Sequence, residues 1–312
     1  MKNVVVIGGG SGLSVMLRGL KNIQSTYLSA IVTVADDGGS TGRLRERFHI
    51  PAMGDIRNVM CALAEEETLF TQLMNFRFSG EDDIGGHNLG NLLLTALTET
   101  TGNFLESIQT FSKVLKVKGE IIPSTLQTVT LCAEMADGTV VNGQSNIPKV
   151  NNQIKQVFYS DSVHATEQAV NAIKKADLIV YGIGSLYTSI IPNIIISEIQ
   201  VALKSNPCPK IYFCNAMTQP GETTGYSLED HVNAITSHSF QQAIDTVVTY
   251  SNLIPADILQ RYKDTESKPV TPTEKDHPYQ ILRRDLLWDE NTYVRHDSEK
   301  IRAVVEELLL TL

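Results

Sequence analysis

The sequence predicts an α/β fold: a Rossmann-like, mostly parallel sheet with flanking helices, a helical insertion and a small β-rich flap. Three observations carry this. Residues 4–7 form a β-branched run without alternation, followed by Gly8-Gly9-Gly10-Ser11-Gly12 and then by Leu13, Met16, Leu17 and Leu20 at helical spacing. A second apolar run, 30–35, ends at Asp36-Asp37 and completes a β–loop–α–β unit. The same order returns later, where residues 178–181 lead through Gly182-Ile183-Gly184-Ser185 towards a helix. Strands buried on both faces read as continuous apolar runs of this kind.

The other elements follow in order. Residues 41–53, with Arg43, Arg45, Arg47 and His49, read as a polar loop with room for a short helix. Helices are predicted over 54–63, 67–76, 87–100 and 104–115, broken by the polar stretch 79–86, so 54–115 is a helical insertion. Strands are predicted at 121–124, 128–134, 139–141 and 154–159, with Asp137-Gly138 as the hairpin turn. This β-rich segment spans about 119–160. Alternation of helix and strand then resumes: helix 165–175, strand 178–181, a helix from Pro192 to 203, strand 210–214, helix 228–237 and strand 246–250. A short helix at 255–262, a loop over 263–278, a late strand at 281–287 and a final helix over 299–309, capped near Asp297, complete the chain.

Composition narrows the function. The 312 residues suit one large domain or two closely joined ones. Lys and Arg number 26 against 35 Asp and Glu, a net charge of -9, and no long basic block offsets it. Nucleic-acid binding by counterion release is disfavoured. The cysteines at 61, 132, 208 and 214 form no C-x-x-C pair and read as buried small hydrophobes of a reducing compartment. The amino-terminal apolar run is too short for a signal peptide, and no stretch reaches the length of a membrane helix. The reading is a cytoplasmic protein without membrane insertion.

Candidate site residues cluster at predicted strand ends. Gly9, Gly10, Ser11 and Gly12 offer backbone amides and a hydroxyl at a helix start, a phosphate cradle. The alternative is a tight turn that needs small residues. The motif is neither G-x-G-x-x-G nor a P-loop, since Leu13 takes the third glycine position. Asp36 and Asp37 suit ribose hydroxyls or a magnesium ion beside phosphates, or simply an Asx turn. Gly38-Gly39-Ser40-Thr41-Gly42 matches the nucleophile-elbow pattern, but two aspartates separate Ser40 from the strand and an Arg-rich run follows. Arg43, Arg45 and Arg47 are phosphate-clamp candidates, against a solvated face. Gly54-Asp55-Ile56-Arg57-Asn58 opens a helix with Asp55 as a candidate cap, the alternative being that Arg57 and Asn58 point into the cleft. His87 and Asn91 share a helix face, Asn88 lies beside free amides, and Gly90 within a helix costs ~1 kcal/mol relative to Ala. Later, Gly184 and Ser185 suggest a second anion or sugar site, and Asn215 and Thr218 can read a base edge or sugar hydroxyls. Loop chemistry alone is the alternative for each.

Together Gly8–Gly12, Val34–Gly42, Gly54–Asn58, Gly86–Asn91, Gly184–Ser189 and Asn215–Thr223 resemble the YvcK-like branch of the CofD-like family. The resemblance spans nearly the whole chain and implies a single CofD-like α/β domain over 1–312. It implies a gluconeogenesis factor associated with cell morphogenesis on gluconeogenic carbon sources, a binder of UDP-sugars such as UDP-N-acetylglucosamine rather than a catalyst. It also points to Tyr262 and Arg295 as ligand contacts, a stacking aromatic and a diphosphate clamp. No residue is assigned a catalytic role, and magnesium is left open. The CofD enzymes transfer a phospholactyl group from a nucleotide-activated lactate with magnesium, so such a transferase is the alternative. An NAD(P)-dependent oxidoreductase is disfavoured by the imperfect glycine fingerprint. A protein partner and a homo-oligomer stay open.

Overall fold

The computed structural model describes residues 1–66, 68–80, 83–273, 276–288 and 293–312. Ten strands are present among them: β1 (Lys2–Gly8), β2 (Thr26–Val32), β3 (Glu120–Pro123), β4 (Leu131–Met135), β5 (Val140–Asn142), β6 (Ile154–Tyr159), β7 (Leu178–Tyr181), β8 (Lys210–Phe213), β9 (Thr246–Tyr250) and β10 (Gln280–Arg284). The first six helices are α1 (Gly10–Leu20), α2 (Gly39–Phe48), α3 (Gly54–Leu63), α4 (Leu69–Asn75), α5 (Leu89–Thr101) and α6 (Phe104–Val114). They are followed by α7 (Glu167–Lys175), α8 (Ile191–Ile194), α9 (Ser197–Ser205), α10 (Leu228–His238), α11 (Ala256–Gln260) and α12 (Ser298–Leu310).

Seven strands form one sheet in the order β10-β9-β8-β7-β1-β2-β3, and every neighbouring pair is parallel. The fold is therefore Rossmann-like, as the sequence predicts. Strand order reverses between β1 and β7. Right-handed crossovers on either side of such a point put their helices on opposite faces of the sheet. Helix α1 packs with α3 and α12 on one face, and α7 packs with α9 on the other. Val4–Ile7, Leu178–Tyr181 and Ile211–Phe213 are buried, which is why they lack polar alternation.

A second, antiparallel sheet of order β5-β4-β6 is the flap. Its β4–β5 turn is the expected one: Gly138 adopts φ 86° and Asp137 accepts from the Thr139 amide at 2.9 Å. The flap is tied to the main body at several points. Tyr159 donates to the Pro192 carbonyl at 2.9 Å, and the Val157 amide donates to His238 Nε2 at 3.0 Å. The connection from β5 to β6 also bridges two strand-end loops. The Ser145 amide donates to Asp37 at 2.8 Å, and a Cβ on Gly221 would stand 2.0 Å from the Pro148 carbonyl oxygen.

Some boundaries differ from expectation, each for a local reason. The second strand leaves the ladder after Val32, although residues 33–35 stay buried, because the Ala35 amide turns back onto the Thr33 hydroxyl. The Arg-rich stretch is mostly helix α2; its buried side is only Ser40, Thr41 and Leu44, too polar a stripe to read as core. The single helix expected from Pro192 to 203 is two, α8 and α9, preceded by a π-turn. That turn spans Leu186–Ile190, and Asn193 Nδ2 donates into it at the Ser189 carbonyl, 2.8 Å. Side chains that enter a backbone ladder break helices in this way. Among the described residues no single helix is long and apolar enough to cross a membrane.

Candidate functional site at the carboxyl edge of the sheet

Because all seven strands run parallel, the loops after β1, β2, β7, β8, β9 and β10 emerge on one edge. In open α/β sheets ligands bind there, at the reversal of strand order. Here that point joins the two glycine loops. A Cβ on Gly12 would stand 2.5 Å from the Ile183 carbonyl oxygen, and one on Gly184 would stand 3.0 Å from the Gly9 carbonyl oxygen. Gly10 takes φ 68°, a conformation that favours glycine. Gly9 is buried, while Ser11 is exposed in the first turn of α1. The loop therefore presents the amino end of an 11-residue helix, with no side-chain cap, to the edge.

The double aspartate divides its work. Asp37 turns to the flap and accepts from Ser145. Asp36 accepts from the Gly38 amide at 3.0 Å and lies against Gly54, whose Cβ would stand 2.8 Å from Asp36 Oδ2. Asp55 sits over the first glycine loop, its Oδ2 2.6 Å from where a Gly9 Cβ would be, close enough to Asp36 to be raised by its charge. Burial raises the Asp36 carboxyl, offset in part by bonds from Gly38 and Thr41 and raised further by Asp37. Burial together with Asp36 pushes Asp55 up to about 6, against the pull of the Gly10 amide and Arg57. Two half-buried carboxylates, close enough for the charge of Asp36 to raise Asp55, with Arg45 and Arg57 acting against them, are a poor arrangement by themselves and a good one for a cation. Among the described residues no group of three or more His, Cys, Asp or Glu forms a closed metal centre. Magnesium would fit through Asp36 and Asp55 with ligand phosphates completing its shell.

A third group stands beside this acidic pair. Ser40 Oγ is 3.1 Å from His87 Nδ1 and accepts from the Asn88 amide at 3.2 Å. Burial and the nearby Arg43 and Arg77 lower the His87 pKa, which keeps the ring neutral. Ser40 is buried, so it holds the start of α5 rather than meeting a substrate. Asn88 caps α5 by accepting from the Asn91 amide, 3.1 Å. Asn91 Nδ2 donates to Thr41 at 3.3 Å, while its Oδ1 is buried without a protein partner. Gly90 has a packing reason: a Cβ there would stand 2.5 Å from the Met74 carbonyl oxygen and 2.7 Å from Arg57 Cδ. Arg57 is buried and donates to Asn75 at 2.5 Å and Asn58 at 2.7 Å. Arg43 is exposed and donates to the Gly85 carbonyl at 2.7 Å; Arg45 donates to Val129 and lies near enough to Asp36 to lower its pKa.

The second half of the edge is organised by a residue outside the predicted set. Glu222 is buried and accepts from the Tyr187 amide at 3.1 Å, the Thr188 hydroxyl at 2.7 Å and Gln219 at 3.1 Å. Burial raises its pKa and these bonds hold it down. Ser185 donates to Gln219 at 2.8 Å, and Asn215 Nδ2 donates to the Gly184 carbonyl at 2.8 Å, leaving Asn215 Oδ1 buried and unpartnered. Glu222 thus locks the loop after β7 to the loop after β8. Glu222→Ala leaves two donors of the π-turn without an acceptor and is expected to cost about 2–3 kcal/mol in chemical denaturation. Glu222→Gln, which keeps one acceptor oxygen, is expected to recover part of that.

Thr218 faces the other way. Its hydroxyl accepts from the Lys268 amide at 2.8 Å and fixes the 263–270 loop. Tyr262 and Arg295 lie further along the edge, on the loops after β9 and β10. The Val294 amide donates to the Tyr262 hydroxyl at 2.9 Å, and Arg295 is exposed next to it. Three strand spacings separate β9 from β1, ~14 Å. The structure therefore brings together Gly9, Gly10, Gly12, Gly184, Ser185 and Asn215 at the centre and Asp36 beside them. His87, Asn88, Asn91 and Arg43 form a neighbouring group, and Tyr262 with Arg295 stands at the far end. Asp55 and Glu222 join the site from outside the predicted set, and Arg57, weighed as a residue that points into the cleft, lies beside Asp55. Glycines placed where α3 meets Asp36 were the available signal for Asp55.

Comparison with known proteins agrees with this architecture. The family described as 2-phospho-L-lactate transferase CofD matches residues 4–287. The gluconeogenesis factor of Bacillus subtilis (strain 168) is 43% identical over 310 residues, covering 98% of both chains. That of Halalkalibacterium halodurans is 43% identical over 312 residues, covering 98% of this chain and 96% of the relative. A crystal structure of a Bacillus halodurans protein superposes with a TM-score of 0.94 at 42% identity, covering 98% of this chain and 99% of that one. The matched span takes in the glycine loops, both acidic residues of the cleft and the Glu222 lock, and on this ground the chain belongs to the CofD-like family, in its YvcK-like branch.

Proposed function

We propose that the chain binds a UDP-sugar, with UDP-N-acetylglucosamine as the type, and acts in the cytoplasm as a regulatory gluconeogenesis factor needed for cell shape on gluconeogenic carbon sources. The observation that carries the reading is the backbone contact between the two glycine loops at the reversal of strand order, beside two half-buried carboxylates. Amides of Gly9–Gly12 at the start of α1 suit the diphosphate. Asp36 and Asp55 suit a magnesium ion that shares the phosphate oxygens; Asp37 holds the flap near them. Ser185 and Asn215 suit sugar hydroxyls, and Tyr262 with Arg295 suits the uridine end. The names of the relatives support the gluconeogenic role.

A second reading, a magnesium-dependent CofD-type transferase, is favoured by one feature. Burial and the Asp36 charge push the Asp55 carboxyl up to about 6, the range in which a carboxylate works as a general base. Titration calorimetry across a panel of nucleotide sugars, with and without magnesium, tests both. The binder predicts saturable one-to-one association with UDP-sugars and unchanged ligand after long incubation. Arg295→Ala is expected to weaken it about tenfold. Failure of every UDP-sugar to bind sinks the first reading; magnesium-dependent consumption of a nucleotide-activated substrate selects the second.

A further inference from the structure

The flap and helix α10 face each other across an open groove of about 500 Å³, a size within the range of small-molecule sites. Asp230, Asn233, Ala234 and Ser237 stand at i, i+3, i+4 and i+7 of α10, so they share one face and form one wall. Gln153 and Lys155, at the start of β6, belong to the other wall. The floor is apolar and aromatic: the buried lining residues are Ile154, Ala234 and Tyr187, with Tyr226 half-buried beside them.

The lining selects an uncharged ligand. Lys155 is paired with Glu134 at 2.6 Å, and Asp230 accepts from the Ser227 amide at 2.8 Å and its hydroxyl at 3.0 Å. The charges of the groove are thus already answered within the protein. Its amides are not. Among the described residues, neither the Asn233 nor the Gln153 side chain has a hydrogen-bond partner, and each carries two donors beside one carbonyl acceptor. The Tyr187 and Tyr226 hydroxyls are 2.8 Å apart. One donates to the other, which leaves the accepting hydroxyl its own proton to give. Burial, with Tyr226 beside it, raises the Tyr187 phenol above its ordinary value and keeps it protonated. Side chains that donate and accept side by side match vicinal hydroxyls, and an aromatic floor matches the apolar face of a pyranose ring.

We propose that the groove between the flap and α10 binds a neutral sugar of monosaccharide size, held by Asn233 and Gln153 over Tyr187 and Tyr226. The site is independent of the diphosphate cleft, but it touches the same frame. Glu222 holds the Tyr187 amide at 3.1 Å, in the π-turn that follows Ser185. The sugar also bridges the flap and α10, which the Val157 amide and His238 already join at 3.0 Å.

Saturation-transfer NMR of the full chain, titrated with N-acetylglucosamine and with glucose, tests the proposal. Saturable transfer to the ring protons of at least one of them is expected. Asn233→Ala is expected to weaken that binding about tenfold, with a thermal midpoint no lower than wild type, because Asn233 is exposed and alanine is the better helix former. Gln153→Ala, on the opposite wall, is expected to act in the same direction. Absence of transfer from both sugars overturns the site. So does unchanged affinity in Asn233→Ala and Gln153→Ala. Transfer that survives Asn233→Ala and is lost in Ser185→Ala places the sugar in the cleft and overturns the groove. Tighter binding of glucose 6-phosphate than of glucose overturns the neutral class of ligand.

Discussion

Gly12→Ala is expected to lower stability by about 1–3 kcal/mol and to abolish measurable nucleotide-sugar binding. The added methyl meets the Ile183 carbonyl oxygen at 2.5 Å, its carbon at 2.8 Å and the Gly184 amide nitrogen at 3.1 Å. All three are backbone atoms, so no rotamer change relieves them. The two loops must separate, and the separation falls where the diphosphate is proposed to bind. Gly102→Ala is the control. Gly102 ends α5 at φ 68° with no atom near its Cβ, so alanine there costs only the left-handed conformation, about 1 kcal/mol. Thermal unfolding and calorimetry of both variants separate loss of the cradle from general destabilisation. Equal binding by the Gly12→Ala chain and wild type would remove the glycine contact from the site.

The strand ends and their glycines were legible because the physics is local. A buried parallel strand must be apolar throughout, and a backbone-to-backbone approach needs glycine. Asn88 and Asp297 could be placed at helix starts for the same reason, their side chains accepting from amides two or three residues on. What the sequence hides is which way a side chain turns. Asp36 and Asp37 look like a pair on paper, yet one accepts from the Gly38 amide beside the cleft and the other from Ser145 in the flap connection. Asp55 looks like a helix cap, but Met53 holds that position and makes no side-chain cap. Glu222, in a polar loop of ordinary composition, matters only because two distant loops meet around it. Each of these depends on contacts between segments far apart in the chain, which no short motif encodes.

The acidic pair gives a prediction with a definite sign in pH. Burial and Asp36 raise the Asp55 carboxyl from 3.8 to about 6, so the folded chain holds that proton more tightly than the unfolded chain. The resulting stabilisation is fully present below 3.8 and is lost as the pH rises through about 6. At neutral pH the ionised Asp55 therefore destabilises the free protein, by about 3 kcal/mol at most. Asp55→Asn keeps an acceptor for the Gly10 amide and removes the charge. It is expected to raise the thermal midpoint at pH 7, to match wild type at pH 4, and to flatten the fall between them. The same substitution should remove the magnesium-dependent part of UDP-sugar affinity, about tenfold or more, because the site loses one of its two carboxylates. A residue that weakens the free fold and strengthens the bound one is the expected mark of a ligand site. If Asp55→Asn left both the pH profile and the magnesium dependence unchanged, the acidic pair would have to be assigned to structure alone.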